Sequence, residues 1–242
     1  MRPIMKIKPV AVLLWLAMSG TTQAALHDRG SGLIYDDVLN ATWLQDANYA
    51  MTSGYDHDGI MTWEESMVWV AQLEYGGYAN WRLPTTSPVN GTSFNYDFVF
   101  DGSSDRGYNI SASGTTHAGS IGSEMAYMYY NNLQGMGDYT IYGDYVGCTS
   151  LGTDMCLVNG TGPFINIGSH YWSGSEYLPD SSNAWQFAFI QGGQNYDTKA
   201  ESGRYAWAVR DGDVAAIPEA ETYAMFLVGL GLVSAATRWR RV

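Results

Sequence analysis

The chain has 242 residues with 12 basic and 24 acidic side chains, a formal net charge of −12. With the six basic residues and two glutamates of its ends set aside, residues 25–217 keep 6 basic against 22 acidic residues, a net charge of −16. Such a body repels phosphate backbones, anionic lipid and sulfated polysaccharide, so nucleic acid is excluded as a partner; neutral sugars or cations suit it, unless the acidity serves only solubility.

The first element is a leader. Arg2, Lys6 and Lys8 precede an apolar run over residues 10–18, and small residues follow to Ala24 and Ala25. With Thr22 and Ala24 at the −3 and −1 sites, residues 1–24 read as a signal peptide cleaved before Ala25, the apolar run being too short for a permanent span. The 193 residues of 25–217 suffice for one domain with a sizeable core.

In that body, "GLIYDD" and "ATWLQ" bracket a turn-rich stretch and predict a hairpin. In "YDHDGIMTWEESMVWVAQLEYGG", Asp56, Asp58, Gly59 and Glu65 match four positions of a calcium-binding EF-hand loop, but Gly54 and Ile60 hold the first and seventh ligand positions. Thr62 and Glu65 also form a capping box, so a turn followed by a helix cap is the preferred reading. Asp56 and Asp58 as calcium ligands are the alternative, and no cofactor is expected. Trp63, Met67, Val70 and Ala71 then recur at helical spacing, with Gly76 and Gly77 as the stop.

"NWRLPT" predicts a strand, and the Ser/Thr/Asn/Gly-rich stretch over residues 86–120 is long enough to be a functional surface loop or a partly disordered one. A second helix has Ser123 as cap, Glu124 at its positive end, and Met125, Met128, Tyr129 and Leu133 on one core face, with Gly135 ending it. Cys148 and Cys156 are the two cysteines; export predicts a local disulfide that pins a Gly-rich segment. The four histidines have no ligand spacing, which argues against a Cys/His metal site. Three strands, "SHYWSGSEY", "NAWQFAFIQGG" and "RYAWAVRDGDV", close the body. Period two places Trp185, Phe187 and Phe189 on one face and Tyr205, Trp207 and Val209 on another, with Trp172 and Trp185 as packing residues.

The tail, "IPEAETYAMFLVGLGLVSAATRWRRV", holds fourteen apolar-rich residues over 223–236. As a helix they cover ~21 Å against a hydrocarbon core of ~30 Å. Glu219 and Glu221 precede them, and Arg238, Arg240 and Arg241 follow, which orients the C-terminus to the cytoplasm. Residues 218–242 resemble the PEP-CTERM sorting signal, with Pro218, Glu219 and Ala220 as the motif and its second proline missing. That resemblance implies transient membrane insertion and cleavage near the motif by an exosortase, a membrane-embedded cysteine protease. The expected location is the cell surface or extracellular matrix of a Gram-negative bacterium.

"WRLPT", "YWSGSEY", "AWQFAF" and "YAWAVRDGDV" together resemble the Lcl C-terminal-like domain family over residues 30–214. The resemblance implies an α+β, C-type-lectin-like fold, with two helices packed on a twisted antiparallel sheet and long loops on one side. Binding or adhesion is its expected activity. The Glu-Pro-Asn and Trp-Asn-Asp motifs of calcium-dependent lectins are absent, so calcium-dependent sugar binding does not carry over. In a fold of that kind, Glu176, Tyr177 and Asp180 are expected near strand ends facing the loops, carboxylates for sugar hydroxyls and a ring for the sugar's apolar face. Ordinary turn acids are the alternative.

No Gly-x-Ser-x-Gly elbow, His-Glu-x-x-His helix or Walker loop is present, so no enzyme is expected. The expected function is a surface or exopolysaccharide-associated binding module whose partner is a neutral polysaccharide or another surface protein. The alternative is a structural matrix protein. A sugar-sized pocket between the long loops and the last strands favours the first, a flat polar loop face the second.

Overall fold

Consecutive residues of a strand point to opposite faces, and that alternation sets the layering of this fold. The computed structural model describes residues 26–147, 156–157, 160–201 and 203–214. The predicted hairpin is present as β2 (Leu33–Asp36) and β3 (Ala41–Leu44), preceded by β1 (Leu26–Asp28). The cross-strand pair Leu33 and Leu44 belongs to one apolar cluster, and the next pair, Ile34 and Trp43, belongs to the other. The same alternation separates Tyr171 from Trp172.

The described strands form two sheets. β11 (Val209–Asp211) pairs with β3 to complete an antiparallel sheet in the order β1-β2-β3-β11. The second sheet holds β4 (Ile60–Met61), β10 (Arg204–Tyr205), β7 (His170–Glu176), β8 (Asn183–Ala188), β9 (Gly193–Thr198), β6 (Arg106–Tyr108) and β5 (Phe98–Val99), in that order. It is mixed, because β10 pairs with β7 and β5 with β6 in parallel. The expected single antiparallel sheet is thus corrected to two sheets. β8 is buried along its whole length, consistent with cover on both faces.

Among the described residues there are three α-helices, where two were expected. α1 (Tyr49–Thr52) is a single turn that the sequence reading missed. α2 (Trp63–Ala71) has the predicted capping box: Thr62 Oγ1 accepts from the Glu65 N–H, and the Glu65 carboxylate accepts from the Thr62 N–H at 2.9 Å. It ends earlier than expected, with Gln72 as C-cap; Gly76 and Gly77 lie in a later turn bridged by Tyr75 and Tyr78. α3 (Glu124–Tyr127) is capped by Ser123, whose Oγ accepts from the Ala126 N–H, and continues as a π-helical turn over Met128–Asn132. Trp69 and Val70 of α2 belong to the Leu33–Leu44 cluster, whereas Met125, Met128, Tyr129 and Leu133 belong to the Ile34–Trp43 cluster as expected, so the two helices serve opposite faces. The fold class is accordingly mixed α and β, with strands dominant.

Two predicted strands are altered. "NWRLPT" is extended but forms only isolated bridges: Arg82 exchanges both backbone bonds with Val209, then Pro84, having no N–H, contributes only its carbonyl, to Gly174. Arg82 makes a two-bond ion pair to Glu124 at 2.7 and 2.8 Å and also bonds Asp211, tying the start of α3 to β11. "RYAWAVRD" splits, β10 joining one sheet and β11 the other. Burial still alternates through the break, with Trp207 and Val209 in one cluster and Ala206 and Ala208 in the other.

The long stretch over 86–120 contains β5 and β6, which extend the large sheet. Gly107 permits that pairing, since its φ is +129° and a Cβ there would meet the Val99 carbonyl oxygen at 1.8 Å. Asp105, fully buried, fastens the same stretch by accepting from the N–H groups of Val89 and Asn95, both at 2.7 Å. Cys156 is disulfide-bonded, while Cys148 lies outside the described residues. The leader with Ala24 and Ala25, the motif Pro218, Glu219 and Ala220, and Arg238, Arg240 and Arg241 also lie outside them. Among the described residues no helix is long and apolar enough to cross a membrane.

Candidate functional site

The three residues expected to receive a ligand each have protein partners. Glu176, at the end of β7, is ion-paired with Lys199, whose ammonium stands 4.3 Å from the centre of the Trp63 ring. Asp180 accepts from the Ser182 hydroxyl at 2.7 Å and its N–H at 3.0 Å, bonds that hold its carboxyl below the usual range. Tyr177 is buried, stacked on Tyr196 at 3.8 Å and edge-on to Trp185 at 5.2 Å. Both carboxylates are thus engaged locally, and the ring is packed rather than open.

The Asp56–Asp58 stretch is likewise locally satisfied. Asp56 accepts from the N–H groups of Asp58 and Gly59, and Asp58 accepts from Ile60. Among the described residues no group of three or more His, Cys, Asp or Glu side chains is placed to hold a metal ion.

An open cleft of about 930 Å³ lies elsewhere. Its base comes from α3 and its π-helical continuation, which supply Tyr127, Tyr130 and Asn131, with Gln134 just past the C-cap; one wall is the 109–119 loop and the other the 135–146 loop. The π-turn is closed by the Leu133 N–H on the Met128 carbonyl at 2.9 Å, and such turns recur at functional sites. Asn109, Ser111 and Gln134, on or beside the cleft, all have positive φ despite carrying side chains. Backbone strain of that kind clusters where a binding geometry is held.

Hydrogen bonds hold the walls in place. The Tyr130 hydroxyl accepts from the Asn109 N–H at 2.9 Å and donates to the Gly192 carbonyl at 2.6 Å. The Asn109 amide donates to the carbonyls of Phe100 and Tyr139, linking one wall to the other, and the Asn131 amide donates to Ser111. The second wall is a small finger in which Tyr139 and Tyr145 bridge and Thr140 donates to the Asp144 carbonyl. Its base is bonded through Met136 to the carbonyl of Cys156, so the disulfide-bonded residue fastens the finger. Burial raises the hydroxyl pKa of Tyr127 and Tyr130, so both are neutral hydrogen-bonding groups at neutral pH.

None of the described lining residues is charged: tyrosine rings alternate with Asn, Gln, Ser, Thr and small aliphatic groups. All six basic residues of the body are engaged elsewhere, Arg29 with Asp213, Arg82 with Glu124, Lys199 with Glu176, Arg204 with Asp197, Arg106 with Asn195 and Arg210 with Asn80. The cleft is therefore an uncharged, aromatic and amide-rich surface on an acidic protein. The sequence reading took the Met and Tyr stripe of the second helix as core and missed its neighbouring face. Tyr127, Tyr130, Asn131 and Gln134 at i, i+3, i+4 and i+7 were the available signal.

No protein-family model matches the chain, and no curated protein matches it.

Proposed function

We propose that the protein is an exported, surface- or exopolysaccharide-associated binding module that holds a neutral saccharide in the cleft between the 109–119 and 135–146 loops. The observation that carries this reading is the cleft's composition. The half-buried Tyr139 ring accepts the apolar face of a sugar, the exposed Ser113 and Gln134 side chains bond its hydroxyl groups, and no charged group must be desolvated. The volume of about 930 Å³ is ample for a small saccharide.

The same composition disfavours catalysis there, because acid–base hydrolysis of a glycoside requires a pair of carboxyl groups and none is among the described lining residues. Calcium has no role in this reading for the same reason. We read the two sheets as a variant of the C-type-lectin-like domain that the Lcl C-terminal-like resemblance implies; α2 and α3 on opposite faces and the long loops at the cleft support that reading. In the same proposal the PEP-CTERM-like tail hands the chain to an exosortase and so places the module at the cell surface.

A glycan array that pairs neutral with sulfated and uronic-acid chains tests the assignment. Neutral chains should be retained by the wild type and lost in Asn131→Ala and Tyr139→Ala. Retention confined to anionic chains, or unchanged in both variants, would sink it.

A further inference from the structure

Beyond the cleft, rings in contact run from Tyr139 through Phe100 to Phe98, and the Arg106 guanidinium bridges Phe98 to Tyr196. Tyr139 is part of the cleft wall, and its ring centre is 4.8 Å from that of Phe100. Phe100 meets Phe98 edge-on at 5.5 Å, and the Arg106 guanidinium stands over Phe98 at 5.5 Å and over Tyr196 at 4.8 Å. Phe98 is 46 % exposed, although it belongs to β5 and lies within ring contact of Tyr108 as well. In "FNYDF", Phe94 and Tyr96 stack with buried Trp185 and account for its cover, whereas Phe98 is left at the surface. Packing explains the first two rings and leaves the third exposed.

The geometry points to this band, from Tyr139 over Phe98 to Tyr196, as a second saccharide-binding surface that takes further units of the same neutral polysaccharide chain held in the cleft. The inference rests on the cleft reading and deepens it: the ligand becomes an extended chain, bound along its length, rather than a terminal sugar. Three observations select that occupant. The band is continuous with the cleft through Tyr139, which belongs to both. Its one cation, Arg106, already donates to the Asn195 side-chain amide oxygen at 2.8 Å and stands over two rings, so an anionic chain is not what the surface is arranged to meet. A second copy of this protein carries the same net charge of −16 on residues 25–217 and is repelled, whereas a neutral polymer is not.

The test uses the full chain and isothermal titration with the disaccharides and hexasaccharides of neutral cello-, laminari-, malto-, manno- and N-acetylchito-series. At least one hexasaccharide should bind about tenfold tighter than its disaccharide, a gain of the size one or two added ring contacts supply. Phe98→Ala should bring the hexasaccharide down to the disaccharide's affinity and leave the disaccharide unchanged, while Phe98→Tyr keeps the gain. Should Phe98→Ala not fold, Phe98→Leu, which keeps apolar volume and loses the aromatic face, carries the same test. A hexasaccharide that binds no tighter than its disaccharide, with no effect of Phe98 variants, overturns the band and leaves the cleft reading standing. Absence of binding to all five series overturns both. Self-association of the wild type in sedimentation, abolished by Phe98→Ala, would make the band a protein interface and overturn the proposal.

Discussion

Replacing Tyr130 by Phe tests the cleft's construction through a single oxygen atom. The hydroxyl accepts from the Asn109 N–H and donates to the Gly192 carbonyl, with Tyr130 and Asn109 both 8 % exposed. Removing it leaves a buried donor and a buried acceptor without partners, at ~1–3 kcal/mol for such a group when water cannot replace the bond. The two together should cost about 2–4 kcal/mol, less than their sum if the loops relax. For a domain of this length that is roughly 5–15 °C in Tm. Tyr129→Phe is the internal control: its hydroxyl donates to the carbonyl of Met136, a residue 40 % exposed, so water can take over and the loss should be about half as large. Thermal unfolding followed by near-ultraviolet circular dichroism measures both. Equal shifts, or a Tm change below about 2 °C for Tyr130→Phe, would refute the claim that this hydroxyl pins the cleft wall.

Thr62→Ala should destabilise the protein by about 1 kcal/mol through loss of the cap on α2, equally with calcium and with chelator, in urea titrations; a calcium-dependent rise in the wild type's midpoint would restore the Asp56–Asp58 metal reading. Burial, then Tyr139, Asp138 and Tyr145, pushes Tyr108 from 10.0 up to about 12. A raised folded pKa contributes stability that is present below the unfolded value and lost as pH rises, so alkaline unfolding should set in between about pH 10 and 12, the absorbance of the buried tyrosines appearing together with the change in circular dichroism. Tyrosinate absorbance that reaches its full amplitude before structure is lost would contradict this. Deleting Arg238, Arg240 and Arg241 should block processing of the tail, read as an unprocessed chain retained with the membrane fraction; a mature form of normal size outside the cell would count against the sorting-signal reading.

What could be read from the sequence alone was what short-range physics decides. The Thr62–Glu65 box and the Ser123 cap bond within three residues, and the β2–β3 hairpin pairs neighbours in the chain. The alternation of Trp207 and Val209 with Ala206 and Ala208 marks two buried faces whether or not the ladder bonds form, and so survives where the strand itself breaks. The proposed sorting signal rests on residue types alone, and its residues lie outside the described ones.

Other features wait on partners far along the chain. β9, unassigned from the sequence, carries Gln194, Asn195 and Asp197, types with little strand preference, and is a strand because β8 and β6 pair on either side of it. Arg82 bridges Val209 through its backbone and meets Glu124 and Asp211 through its side chain, partners 42 and more residues away. Glu176 and Asp180 looked available as sugar ligands because their chemistry suits the task, but Lys199 and Ser182 occupy them, and a one-dimensional reading cannot see which acid is already paired. The cleft is the extreme case. Tyr130, outside the Met125, Met128, Tyr129 and Leu133 face read from the sequence, meets Asn109 and Gly192 across separations of 21 and 62 residues, so only the closing of the two loops makes a core residue a cleft residue as well.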